Sequence, residues 1–432
     1  MCLNDDSKKF SIDNIIDDLV EKFTDLHYVY DNVCGVEDDV RDFSLIGRVL
    51  PSVNILLSEV EKYKNIDLEK YTHYNLKILN EYYSRNNYGL SSFSGLAHLG
   101  YSTLSISNNK KQYTTFLDSI NKIMIKGANH YILSGTRASM HNCDCINGFG
   151  GVIRYLLHFK ENNDVLETIR QLLTYLISLT LENKEVLGVK VPYWFLSAEE
   201  QLPHERASFP NGKIDLGLSH GITGVISILS IALLSGIEVK GQRSSIRRLL
   251  EFCYAYRMEV DNLIYWPRKI AIEDWIDGKK DFDWSRPSWC YGEAGISRTI
   301  YLAGKSLGDS YFVEDSIRVI ISQANSNRED FGFISPTFCH GYSGLLQTLN
   351  VFYQDTKIES FLEPIDNITN KILSFYEKDA AFGFYDYEYK FNQEVSKNID
   401  IGIVKGTTSI LLPLLATIQY SKTNWDNMFL IN

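Results

Sequence analysis

Apolar runs recur along this chain, each preceded by a short glycine-bearing turn. Gly148-Phe149-Gly150-Gly151 leads into the run Val152–Phe159, and Gly221-Ile222-Thr223-Gly224 leads into Val225–Leu234. Gly292-Glu293-Ala294-Gly295 precedes Ile296–Ala303, and Gly341-Tyr342-Ser343-Gly344 precedes Leu345–Phe352. Two degenerate copies flank these four: Ser92–Gly95 before Leu96–Leu104, and Gly406–Ser409 before Ile410–Ile418. The starts are 56, 73, 71, 49 and 65 residues apart, a spacing that signals a repeat architecture. Between the runs lie segments with apolar residues at helical spacing and a charged opposite face, such as Val165–Leu181, Ser244–Met258, Glu314–Ala324 and Ile358–Tyr376. Each unit therefore reads as a helical hairpin. The helix after the glycines is apolar nearly all round and belongs inside, and its amphipathic partner belongs outside. Such hairpins bury their inner faces either in an open solenoid or in a closed ring. The short, very apolar inner helices and the lack of a polar cap repeat predict closure: an all-α, double-layered α/α toroid of about six to seven hairpins.

Two stretches break this pattern. Residues 187–215 and 261–288 carry several prolines and aromatics and read as irregular inserts near the mouth of the ring. Residues 1–90 read as acidic N-terminal helices, the clearest being Glu37–Val49 and Ser52–Tyr63, with Pro51 expected to part them because proline breaks a helix interior. No low-complexity linker divides the chain, so residues 1–432 are expected to form one domain.

Composition narrows the setting. Hydrophobic residues make up 44% of the 432, enough for a large core. The start of the chain is polar and acidic, without the apolar region of a signal peptide. The longest apolar stretch, Gly224–Ile237, is too short to cross a bilayer. Seven scattered cysteines suit a reducing compartment, which predicts a cytoplasmic protein. A net charge of -11 argues against nucleic acid as a partner and tolerates a cationic peptide.

The chemistry-bearing residues stand just before the repeat glycines. Cys290 precedes Gly292, Cys339 and His340 precede Gly341, and His220 precedes Gly221. If the inner helices all begin at one end of a ring, these residues converge at one mouth. Two thiols and one imidazole are three zinc ligands, one short of a closed structural site, and the open kind is catalytic. So sulfur-rich a shell blunts Lewis acidity and suits activation of a substrate thiol. His220, in register with these positions, is a candidate general acid/base. Asp144 lies four residues before Gly148 and Arg286 four before Cys290; each is either a salt-bridge partner or part of the site, and arginine suits a developing enolate oxygen. Tyr291 serves packing or catalysis. Cys143 and Cys145 read as structural thiols, Cys2, Cys34 and Cys253 have no chemical context, and His204 lies in an insert.

Three motifs together resemble the lanthionine synthetase C-like family, the LanC-type lantibiotic cyclases. They are G-x-x-H-G-x-x-G at Gly217–Gly224, W-C-Y-G-x-x-G at Trp289–Gly295 and C-H-G-x-x-G at Cys339–Gly344. The resemblance runs from about Ser92 to Ala416. It implies an α/α toroid holding one Zn²⁺ per chain through Cys290, Cys339 and His340, with His220 as acid/base and Asp144 and Arg286 at further catalytic positions. The implied reaction adds a precursor-peptide cysteine thiol to dehydroalanine or dehydrobutyrine, forming a lanthionine or methyllanthionine ring. It implies a dehydrated precursor as substrate, with a separate dehydratase and an exporter as partners in a membrane-associated complex. Two rival readings are addition of glutathione to dehydroamino acids, and a zinc-stabilised scaffold that binds peptide without catalysis.

Overall fold

The computed structural model describes residues 6–33, 46–133, 143–201, 203–280, 282, 286–326, 329–390, 394–419 and 422–432. The chain enters through α1 (Asp6–Thr24), α2 (Leu26–Val33), α3 (Ile46–Lys64) and α4 (Glu69–Arg85). Next come α5 (Leu96–Ser105) and α6 (Thr114–Leu133), then α7 (Phe149–Leu156) and α8 (Asn163–Leu181). The first insert supplies β1 (Asn183–Val186), β2 (Val189–Pro192) and β3 (Lys213–Asp215), and α9 (Ile222–Leu234) and α10 (Gln242–Ala255) come next. The second insert supplies β4 (Met258–Val260), β5 (Leu263–Tyr265), β6 (Lys269–Ala271) and α11 (Ile272–Ile276). Then come α12 (Glu293–Leu307), α13 (Ser310–Ala324), α14 (Tyr342–Thr356) and α15 (Leu362–Leu373), the hairpin β7 (Asp386–Tyr389) and β8 (Val395–Asn398), and α16 (Thr408–Gln419). No helix among the described residues is long and apolar enough to cross a membrane.

The six glycine turns open α5, α7, α9, α12, α14 and α16, as the repeat predicts. At Gly221 and Gly292 a side chain is excluded by close approach. A Cβ on Gly221 would stand 2.4 Å from the carbonyl oxygen of Asp215, and one on Gly292 2.1 Å from that of Arg286. The chain before each helix thus folds back onto the helix start, six residues on, and only glycine leaves room. That fold-back holds the residue preceding the glycine at the N-terminal end of an inner helix.

The contacts gather into two compact units. One comprises residues 1–89, 93–117 and 327–425, and the other residues 90–92, 118–326 and 426–432. In the second, α9 packs between α7 and α12, and α8, α10 and α13 cover the outer side. From Ile222 to Ala232 every residue of α9 is buried, which is why its sequence is apolar all round. The strands are small. β3 pairs antiparallel with β6, with Asp215 opposite Lys269, so the two inserts are joined by backbone hydrogen bonds. The final residues seal this unit: carbonyls of Met428, Phe429, Leu430 and Ile431 accept in turn from Cys145 Sγ, Trp289 Nε1, Ser227 Oγ and Arg298 Nε.

In the first unit α3 packs against α4, α5 and α16, and α14 against α15 and α16. The expected break at Pro51 does not occur, because α3 runs unbroken from Ile46 to Lys64 through Pro51. Proline lacks the N–H that would reach the Gly47 carbonyl, four residues back. The Tyr83 hydroxyl from α4 stands 3.3 Å from that carbonyl and 3.1 Å from the Gly95 carbonyl, sharing its proton between them. A tertiary donor thus offsets the missing backbone one, and the buried face of α3 from Val49 to Val60 holds the helix together. Residues 37–45 of the expected first helix lie outside the described residues, as do Cys2 and Cys34.

Candidate active site

Four of the expected residues lie in the second unit, in the turns before α7, α9 and α12. His220 Nδ1 is 2.7 Å from Asp144 Oδ2. The other carboxylate oxygen of Asp144 accepts the Gly148 N–H at 2.7 Å and the Asn147 N–H, which fixes its plane. With Oδ1 committed to two backbone N–H groups, Asp144 Oδ2 accepts the hydrogen bond of His220 Nδ1–H and leaves Nε2 as the nitrogen available to exchange protons. Burial works against a charged imidazole here, but Asp144, Asp215 and Cys290 outweigh it and raise the His220 pKa above its ordinary value. The backbone ties the three turns together. Cys145 N–H donates to the Ser219 carbonyl at 3.1 Å, and Leu218 N–H donates to the Cys290 carbonyl at 2.8 Å. The turn carrying His220 is thus pinned to the turn of Asp144 on one side and that of Cys290 on the other.

Cys290 is buried, with its sulfur 3.5 Å from the Ser288 hydroxyl. Its neighbour Trp289 is fully buried and donates to the Phe429 carbonyl at 3.0 Å. Arg286 is half-buried in the same turn, and its carbonyl accepts the Ser288 N–H at 2.7 Å. Tyr291, left between packing and catalysis by the sequence, donates to Asp215 Oδ2 at 3.1 Å, and its ring centroid is 6.4 Å from that of His220.

Cys339 and His340 belong to the first unit, in the turn before α14. Cys339 N–H donates to the Val404 carbonyl at 3.0 Å. His340 Nε2 faces Glu388 Oε1 at 3.7 Å, and Glu388 is itself paired with Lys405 at 2.5 Å. Asp386, two residues away on β7, accepts from the Ser335 hydroxyl at 2.7 Å and the Thr337 hydroxyl at 3.3 Å. His340, Asp386 and Glu388 each offer a ligand atom within 4.8 Å of the others. The sequence reading missed these two carboxylates. Their signal was the alternation Asp386-Tyr387-Glu388 on a strand, which puts both on one face. It missed equally the ions Glu205, Lys213 and Lys269 in the inserts. Cys145 and Cys253 are buried; burial pushes the Cys253 thiol up to about 12, and burial together with Asp144 holds that of Cys145 well above the ordinary value. His204 is exposed in a short turn of the first insert.

Glu293 occupies the first helical position of α12 and is fully buried. Burial pushes its carboxyl up to about 8, against partial relief from the backbone at Glu293 and Trp266. The native protein therefore keeps a proton that the unfolded chain releases near the ordinary carboxylate pKa, and stability falls as pH rises from there to about 8. Glu293→Gln has no such proton to lose. Its melting temperature should gain on the wild type steadily between pH 5 and 8, and a pH-independent difference would contradict the buried neutral acid.

A family model for lanthionine synthetase C-like proteins matches residues 50–430. The nisin biosynthesis protein NisC of Lactococcus lactis subsp. lactis is 27% identical over 355 residues, covering 78% of this chain and 81% of that protein. Among solved structures, nisin cyclase superposes with a TM-score of 0.75 at 22% identity, covering 98% of this chain and 97% of the other. That likeness shows the fold: all-α, of the helical-toroid class that the repeats predict.

Proposed function

The chain belongs to the lanthionine synthetase C-like family, and from that membership we propose that it is a zinc-dependent cyclase that closes thioether rings in a dehydrated lantibiotic precursor peptide. The observation that carries the mechanism is the His220–Asp144 pair, set in a turn hydrogen-bonded to the backbone of Cys290. Cys290, Cys339 and His340 would hold the metal. Two thiols and an imidazole suit zinc above harder cations. Zinc bound there would keep a coordinated sulfur deprotonated at neutral pH.

The chain's own residues supply the rest. As a peptide cysteine adds to the β-carbon of dehydroalanine or dehydrobutyrine, a C–S bond forms and the π pair moves toward the carbonyl oxygen. Arg286 stabilises that enolate oxygen. His220 gives a proton to the α-carbon through Nε2, and Asp144 holds the imidazolium before the transfer. The thiol loses one proton and the α-carbon gains one, so no net proton, oxidant or reductant is needed. The dehydro residues must come from a prior dehydration of Ser and Thr, which calls for a dehydratase acting before this protein.

The test is direct. Dehydrated precursor is incubated with the purified protein, and free thiols are counted by alkylation and mass, since cyclisation alone leaves the mass unchanged. Loss of alkylatable thiols is the expected result. Thiols that stay free, or a preference for added glutathione over the peptide's own cysteine, would overturn the reading.

A further inference from the structure

Beside the His220 turn lies a buried group of charges that the mechanism above does not use. The Lys213 side chain is 0% exposed, with its ammonium 2.7 Å from Glu205 and 3.2 Å from Asp215. Lys269 closes the group by pairing with Glu205, and its ammonium lies 4.7 Å from the centre of the Tyr291 ring. Both carboxylates are buried. The four residues come from the two inserts, which β3 and β6 join. We propose that Asp215, clamped by Lys213, is a positioning residue for the reaction: it fixes the Tyr291 hydroxyl and, through the turn at Gly217, the loop that sets His220 against Cys290. This rests on the cyclase reading above.

Asp215 is where the two turns meet. Its Oδ1 accepts the Gly217 N–H at 2.9 Å, which shapes the turn leading to His220. Its Oδ2 accepts the Tyr291 hydroxyl at 3.1 Å, in the turn that carries Cys290. The packing agrees: a Cβ on Gly217 would stand 2.6 Å from Tyr291 ring carbons, so the backbone of one turn lies directly on the ring of the other. Stability alone gives little reason for such a group. Buried ion pairs are often replaceable by apolar residues of similar volume without loss, so four charges with one phenol hung from them point to placement rather than cohesion. Burial raises the Glu205 carboxyl, but the two ammonium groups overcome it and hold it down at about 2, so Glu205 stays charged against both lysines across the working range of pH. A carboxylate fixed in this way gives the Tyr291 hydroxyl a single direction. The ring then stands beside the imidazole in one orientation, while Asp144 fixes the imidazole from the other side.

The test uses the full-length, metal-loaded protein and a synthetic peptide carrying one dehydroalanine and one cysteine. Turnover is measured for the wild type, Asp215→Asn, Tyr291→Phe and the double variant. Each single change should lower kcat by roughly tenfold to a hundredfold with KM within about twofold, the mark of an interaction that matters to the transition state more than to binding. If Asp215 acts through Tyr291, the double variant should be no slower than the slower single one. Effects that multiply, or an unchanged kcat in Tyr291→Phe, would overturn the proposal. That second variant removes only a hydroxyl and leaves every buried charge paired, so it answers the question even where Asp215→Asn does not fold. A readout independent of turnover is the Tyr291 Cζ resonance in isotope-labelled protein, assigned by its disappearance in Tyr291→Phe. It should move in Asp215→Asn, and a resonance that stays put would equally sink the proposal. A wild type that leaves the peptide open would defeat the cyclase reading instead, and the resonance would still decide the placement.

Discussion

Replacing His220 by Asn should slow ring closure by roughly 10²–10⁴-fold, the usual worth of a positioned acid/base, while zinc content and fold persist. Asparagine can keep the hydrogen bond to Asp144 that His220 Nδ1 makes at 2.7 Å, so the loop has no reason to move. What it lacks is a nitrogen that exchanges protons near neutral pH. Burial works against a charged His220, but the carboxylates around it favour that form and raise its pKa, which suits the proposed proton donor. Thiol addition without that donor must wait for water. The measurement is the rate at which alkylatable thiols disappear, beside zinc content and a melting curve. A variant that lost its zinc would make His220 a ligand rather than a proton donor, and one that cyclised at the wild-type rate would favour a binding scaffold.

Cys339→Ala should take bound zinc from about one per chain to a small fraction of that, and activity with it, because two remaining ligands rarely hold zinc firmly. The competing donor set is His340 with Asp386 and Glu388. Both carboxylates are already engaged: Glu388 by Lys405 at 2.5 Å, and Asp386 by the Ser335 and Thr337 hydroxyls. An ion there would have to displace an ammonium. Metal content by mass spectrometry decides the matter. A fully loaded Cys339→Ala protein would move the ion to the carboxylates and refute the thiolate ligands, and Glu388→Gln would then be the variant that empties the site.

The sequence by itself determined the helices that begin at the glycine turns, and with them the positions of Cys290, Cys339, His340 and His220. The reason is local. The turns at Gly221, Gly292 and Gly341 each pack against a carbonyl six residues earlier, so the whole motif lies within a few consecutive residues and repeats visibly. The amphipathic outer helices were legible for a similar reason, since a charged face at helical spacing needs no knowledge of what covers the other face. Tertiary structure decided the rest. Pro51 reads as a helix break until the Tyr83 hydroxyl arrives from the next helix to serve the Gly47 carbonyl. Asp144 remained ambiguous because its partner His220 lies 76 residues away, and nothing in the spacing says that two turns so far apart share a hydrogen bond. Nothing in the insert sequence marks its charges as buried, yet Lys213 is fully buried between Glu205 and Asp215. A lone charge can be buried only when a partner from elsewhere in the chain meets it, and that meeting is fixed by the folded chain rather than by any short run of residues.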